Sequence, residues 1–315
     1  MNNLLTVSPS PHIRSPRTTT SIMTTVLIAL FPAALLSVVF FGFKALLILL
    51  VSNLACGLLE YGWCRLNKLK NTVVDASCFV TGTLLALTLP ANFGELKNIW
   101  MVVVGAFIAI IVVKEFFGGI GYNFANPAIT ARIAMLVCFP DAMTQTVHTS
   151  FTNPELASGA TPLGDIAADK GELLPTWIEM FVGNHAGAIG EVSALALIIG
   201  GIFLIATKVI TWHIPVSFIA TVGLFTLATG TYPSYQIIAG GLMIGAFFMA
   251  TDYVTSPDTA KGKLVFGIGC GLITAVIRVY GGYPEGVSFA ILLMNILNPY
   301  IIKLTRNKAF GGIKQ

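Results

Sequence analysis

The polar side chains that stand out in this 315-residue chain fall into two groups. The first is the stretch Leu156–Gly164, "LASGATPLG", where two hydroxyls, Ser158 and Thr161, sit beside Gly159, Ala160 and Gly164 in the one long polar segment of an otherwise apolar chain. Within "GATP", Thr161 has the only side chain able to form an ester with a phosphate. By itself Ser-Gly-Ala-Thr-Pro is also ordinary surface-turn chemistry, because Gly tolerates unusual backbone angles and Pro presets one. The second group is the polar residues inside apolar runs: Asp75, Asn123, Asn126, Arg132, Asn295 and Asn298, with Asp252 at a helix end. A charge in the membrane interior costs about 3 kcal/mol or more unless it faces a partner or a cavity. These residues therefore either cap half-helices and satisfy one another's backbone, or line a polar cavity for a cofactor's heteroatoms or a cation.

Other chemistries find no support. There is no H-E-x-x-H, nucleophile elbow or Walker loop, and His12, His148, His185 and His213 are far apart and read as loop or interfacial residues. The five cysteines, Cys56, Cys64, Cys78, Cys138 and Cys270, are odd in number and form no C-x-x-C, which speaks against a disulfide framework or a self-contained metal site. Four of the five read as ordinary buried thiols, and Cys78 alone could supply a ligand to a site shared with another subunit. "GIGCG" around Cys270 lies inside an apolar span, where alternate glycines serve close helix packing rather than phosphate binding. The net charge of +4 is scattered, without a basic stripe, so no nucleic-acid partner is expected.

The elements that must position these residues are membrane spans. Apolar residues make up 55% of the chain and charged ones 10%, with a mean hydropathy of +0.83, so the bilayer is its solvent. Runs fit to cross roughly 30 Å of hydrocarbon occur near 22–41, 45–63, 73–90, 99–113, 124–139, 192–208, 212–228, 235–251, 264–278 and 286–303. Several are short and interrupted by Gly, Pro, Asn or a charge, as in broken helices. With both termini inside, 13 basic residues fall on the cytoplasmic side and 4 (Lys44, Lys97, Lys170, Arg278) outside, as the positive-inside rule favours.

The chain then divides into a cytoplasmic tail (1–20), a first membrane repeat (21–139), an extracytoplasmic loop bearing the "SGAT" stretch (140–191), a second repeat (192–304) and a cytoplasmic tail (305–315). "TGTLLALTLP" from Thr81 overlies "IGAFFMATDY" from Ile244 at an offset of 163, pairing Gly82 with Gly245 and Gly118-Gly119 with Gly281-Gly282. Five helices is an odd number, so the repeats must be inverted. The expected fold class is an all-α polytopic membrane protein of about ten transmembrane helices in two inverted five-helix repeats, with ligands near the midplane where the halves meet.

Taken in order, "GYNFANPA" (Gly121–Ala128), "SGATPL", "GNHAGAIGEVSALALIIGG" (Gly183–Gly201), "FMATDYVTSP" (Phe248–Pro257) and "GGYPEGVSFAILLMN" (Gly281–Asn295) resemble the RnfD/NqrB family of membrane flavoprotein subunits from end to end. The N-terminal tail of about twenty residues is that of the RnfD branch, since NqrB-like chains usually carry a longer extension. Tyr253 departs from the family, which commonly has Pro after the Asp of "ATD". The resemblance implies a urea-channel-like fold in the inner membrane and FMN carried on Thr161 through a phosphoester bond, with Ser158, Gly159 and Ala160 completing the motif. It also implies a second, non-covalent flavin, riboflavin, within the bundle, for which Asn123 and Asn126 are the candidate contacts. By the same resemblance the chain is a subunit of an ion-translocating complex that exchanges electrons between ferredoxin and NAD and moves Na⁺ or H⁺. Its partners would be an FMN-bearing extracytoplasmic subunit and a cytoplasmic NAD-binding subunit. The rival reading is a channel or secondary transporter of similar fold, which would have no use for the "SGAT" motif.

Overall fold

The computed structural model describes residues 17–147, 160–168, 174–183, 185–191, 193–281 and 285–306. Ser158, Gly159, His12 and His148 lie outside the described residues. The chain opens with α1 (Thr19–Phe41) and α2 (Phe43–Leu66), joined at Gly42, whose φ of +62° suits a residue without a Cβ. A 3₁₀ turn at Val73–Asp75 leads to α3 (Ser77–Thr88), and a second at Ala91–Gly94 precedes α4 (Ile99–Phe107), which continues as a π-helix over Ile108–Glu115. Then come α5 (Pro127–Cys138) and three short helices, α6 (Pro140–Thr144), α7 (Pro162–Ala167) and α8 (Trp177–Val182). The remaining elements are α9 (Ala194–Ala206), α10 (His213–Thr229), α11 (Pro233–Ile238), α12 (Leu242–Ile244) with a π-helical continuation over Gly245–Met249, α13 (Ala260–Tyr280) and α14 (Val287–Thr305).

All of this is helix and connection; among the described residues the one β-like feature is an isolated antiparallel bridge between Val147 and Gly187. By length and composition α1, α2, α13 and α14 can each cross a membrane, and α3, α5, α9 and α10 are shorter apolar helices. Two expected spans are interrupted. The α4 span changes from α to π hydrogen bonding at Ile108, and the run expected at 235–251 breaks at Gly240, whose φ is +67°.

Asp75, expected inside a span, lies in the 3₁₀ turn before α3, partly exposed. The left-handed Ala76 (φ +60°) separates that turn from the helix, so the span begins at Ser77. Cys78 is fully buried within the chain. All five cysteines are free thiols, and Cys138 alone is exposed.

Small residues set how closely helices approach. The glycines around Cys270 face α10 and α14: a Cβ on Gly267 would run into Ser217 Oγ, one on Gly269 into Met294 Cε, and one on Gly271 would lie 2.6 Å from Thr221 Cβ. Lipid offers no hydrophobic drive between helices, so this close contact is what joins α10, α13 and α14. Gly271→Ala is therefore expected to force the α10–α13 pair apart and cost about 1–3 kcal/mol, read as a lower thermal midpoint in detergent. Gly62→Ala, where a Cβ meets nothing within 4 Å, serves as the control and should melt like the parent.

Candidate functional site

Two cavities flank α5, one at each end. At its start, Asn126 accepts from Ala128 N (3.0 Å) and Ile129 N (3.3 Å) as the N-cap, with Pro127 in the first helical position, where its missing N–H is no loss. Its Nδ2 donates to Met249 O at 3.2 Å, at the end of the second π-helix. Asn295, with its amide oriented to satisfy both neighbours, accepts from Asn126 N and donates to Thr255 O. Asn126 is thus a backbone clasp with one donor hydrogen to spare. Asn123 donates to Ala125 O at 3.1 Å and is also buried.

Asn123, Asn126 and Asp252 line a cavity of about 110 Å³ together with Lys114, Thr251 and Tyr253. A neighbouring compartment of about 200 Å³ shares Val209, Ile210, Thr251 and Tyr253 with it. Tyr253, which follows the Asp of "ATD", donates its hydroxyl to Val209 O. Asn298 is buried on α14, its Oδ1 without a hydrogen-bond partner among the described residues.

The second cavity lies along the C-terminal half of α5. It measures about 300 Å³, and Thr161 and Ala160 share its wall with Arg132, Ile133, Leu136 and Phe289. Thr161 is half-buried and caps α7: its Oγ accepts from Gly164 N at 3.1 Å, and Pro162 follows in the first helical position. Beneath it Arg132 bridges two carboxylates, donating to Glu191 at 3.1 Å and to Glu285. Burial and the neighbouring Glu285 charge push the Glu191 carboxyl up to about 8, against the pull of Arg132. For Glu285 burial works against ionisation, and Arg132, the hydrogen bond from Glu191 and Arg278 outweigh it, holding the carboxyl below its usual range. The two shifts run in opposite directions, so Glu285 is the more readily ionised of the pair.

Glu191 reaches this place because its loop folds into the bundle. Ile189 N donates to Leu89 O (3.1 Å) and Gly190 N to Leu87 O (2.7 Å), satisfying carbonyls at the end of α3. Arg278 supports the same region: it donates to Gln236 O at 2.6 Å and Ala239 O at 3.2 Å, serving carbonyls at the end of α11.

A third buried cluster sits between α2, α3 and the first π-helix. Lys114 Nζ lies 2.5 Å from Glu60 Oε2 and 2.7 Å from Ser77 Oγ, and Thr72 donates to Glu60 Oε1 at 2.7 Å. Lys114 is 3% exposed and Glu60 0%. Glu115 beside it is buried as well.

Of the polar residues flagged by the sequence, the fold brings Asn123, Asn126 and Asp252 to one cavity, sets Arg132 and Thr161 on the other, and leaves Asp75 at the edge. Glu60, Lys114, Glu191, Arg278 and Glu285 are charged residues drawn into the bundle that sequence reasoning misses. Charge partition along the chain puts Lys114 and Arg278 in loops on opposite sides of the membrane, yet both are inside the bundle. Glu60 carries a usable signal, a carboxylate within an apolar run; Glu191 and Glu285 carry none, because hydropathy cannot show that a polar connection folds inward.

Long apolar helices with charge pairs sealed among them define an integral membrane protein. The model of the NQR2, RnfD, RnfE family matches residues 6–311, and the chain belongs to that family. It is 45% identical, over 100% of its length and 98% of the relative's, to the D subunit of the Na(+)-translocating ferredoxin:NAD(+) oxidoreductase complex of Acetobacterium woodii. It is 42% identical, over 98% and 97%, to the D subunit of the proton-translocating ferredoxin:NAD(+) oxidoreductase complex of Clostridium ljungdahlii. The D subunit of the ion-translocating oxidoreductase complex of Stutzerimonas stutzeri is 35% identical over 92% of this chain and 91% of its own.

Removing one partner of a sealed ion pair leaves the other charged in an apolar interior. Lys114→Met should cost about 3–5 kcal/mol through the stranded Glu60, and adding Glu60→Gln should restore much of it. The check is folded yield and thermal midpoint in detergent across the double-mutant cycle; equal losses in the single and double variants would contradict the pairing.

Proposed function

We propose that this chain is the D subunit of an ion-translocating ferredoxin:NAD oxidoreductase in the inner membrane. It is an electron-carrying flavoprotein with FMN joined to Thr161 through a phosphoester on the outer face. The complex couples electron flow to transport of Na⁺ or H⁺, and relatives are named for each. The observation that carries this reading is that a chain similar throughout to those relatives places a threonine hydroxyl on the wall of a roomy, mostly apolar cavity.

The residues present suit the group. At about 300 Å³ the cavity reaches the lower end of small-molecule sites, roughly 300–1,000 Å³. Ile133, Leu136, Met143 and Phe289 offer apolar walls to a ring, and Arg132 a fixed cation. FMN, when bound, supplies one- and two-electron carrier chemistry. Thr161 keeps it at high effective concentration, and linkage through phosphate leaves the ring electronically unaltered.

The second flavin, riboflavin, belongs in this reading near Asn123 and Asn126. Neither inner compartment alone, at about 110 and about 200 Å³, reaches the roughly 300 Å³ expected of a small-molecule site. A flavin there would need both compartments, which share Val209, Ile210, Thr251 and Tyr253.

The same reading has ten spans in two inverted repeats of urea-channel type, with both termini cytoplasmic. Shifted by 163, the first-half elements fall on the second-half ones: α2 on α10, α3 on α12 with its π-helix, α4 with its π-helix on α13, and α5 on α14. The equivalents α1 and α9 pack together, and so do α5 and α14, an arrangement compatible with a two-fold axis in the membrane plane. Lys44, Glu95 and Lys97 form one ionic group at the proposed outer end. Arg17 donates to Thr207 O and Lys208 O at the opposite end. An FMN-bearing extracytoplasmic subunit and a cytoplasmic NAD-binding subunit are the partners at the two faces.

Thr161→Val keeps the β-branched shape and removes the acceptor oxygen. The helix bundle should assemble, α7 should fray for want of its cap at about 1 kcal/mol, and the fluorescent flavin band on a denaturing gel should vanish. A persistent band would move the attachment to another hydroxyl. For the second flavin, denaturing extraction of the intact complex should release riboflavin, which remains in the Thr161→Val complex; a native complex yielding no free flavin would count against that site.

A further inference from the structure

Arg132 is held from the far side of the sequence. It stands on α5, and its two acceptors, Glu191 and Glu285, lie on connections that precede α9 and α14. Both guanidinium Nη atoms are occupied, which fixes the planar group far more tightly than a single partner would. The side chain remains 10% exposed, and it lines the same cavity as Thr161 and Glu285.

A structural clamp would need no access to that cavity. Arg278 adds a second cation acting on Glu191 and Glu285. Of the two carboxylates Glu285 is the one held toward ionisation, by Arg132 first. In a site walled by Ile133, Leu136 and Phe289, the field of these charges is weakly screened.

Resting on the reading that Thr161 carries FMN, we infer that Arg132, clamped by Glu191 and Glu285, is the fixed positive charge that tunes this flavin toward its reduced form. Reduction adds negative charge to the ring, so a cation held beside it stabilises the reduced state more than the oxidised one. Glu285 works in the opposite direction, sharing the guanidinium and opposing its field. The pair sets the flavin's potential by difference, and charge changes at the two positions must act with opposite signs.

The test is a spectroelectrochemical titration of the purified whole complex, with the Thr161 component isolated by subtracting the Thr161→Val complex. Arg132→Gln should shift that component's midpoint potential negative, Arg132→Lys should leave it close to the parent, and Glu285→Gln should shift it positive. The fluorescent band should persist in all three. A persistent band with unmoved potentials, or a negative shift in Glu285→Gln, overturns the inference while leaving the attachment intact. If Arg132→Gln fails to accumulate, the sign of the Glu285→Gln shift in a Glu191→Gln background decides, because Glu191 can then not ionise in place of Glu285. A parent chain without a fluorescent band overturns the attachment and this inference together.

Discussion

Inside hydrocarbon no water is available, so every charge and every broken backbone hydrogen bond must find its partner within the protein. This chain meets that demand largely by reaching across its two halves. Asn126, in the first half, serves the start of α5 and the carbonyl of Met249 in the second. Arg132 draws in two carboxylates from connections that would otherwise lie in solvent. The loop ending at Glu191 closes the end of α3 with its own amides. The cavities on either side of α5 exist because these partners bring polar connections inward.

The membrane class and the long helices α1, α2, α13 and α14 are legible in the sequence because hydropathy over about twenty residues reports them directly. Thr161 is singled out in the sequence by its motif, and the fold sets it on a cavity wall. The charge clusters are not legible. Glu60 and Lys114 are separated by 54 positions and meet only when α2 packs against the first π-helix. A lysine at the end of an apolar run looks like a cytoplasmic anchor, so the sequence pattern puts Lys114 in solvent. Asp75 fails in the other direction: a left-handed residue at 76 shortens the helix expected to bury it. Asn126 is expected to serve a ligand, and most of its hydrogen-bonding capacity goes to the backbone.

The helix α5 is the physical link between the two cavities. Asn126 at its cap and Leu136 near its end are ten residues apart, about 15 Å along the axis at 1.5 Å per residue. Its buried face, with Ala128, Ile129, Ala131 and Met135, is continuous. Both compartments therefore take their shape from one short rigid element, and a displacement of α5 would alter them together.

The placement of the clasps bears on how the two halves can move. Rocking of one half against the other, the motion by which transporters of inverted-repeat design expose a site first to one side and then to the other, needs at least one face free to open. Here Asn126 ties the halves at one end of α5, and the guanidinium of Arg132 ties them further along. Opening either face would strand a buried amide or a buried charge. A frame tied in this way favours a constant separation between the two cavities over alternate opening of its faces.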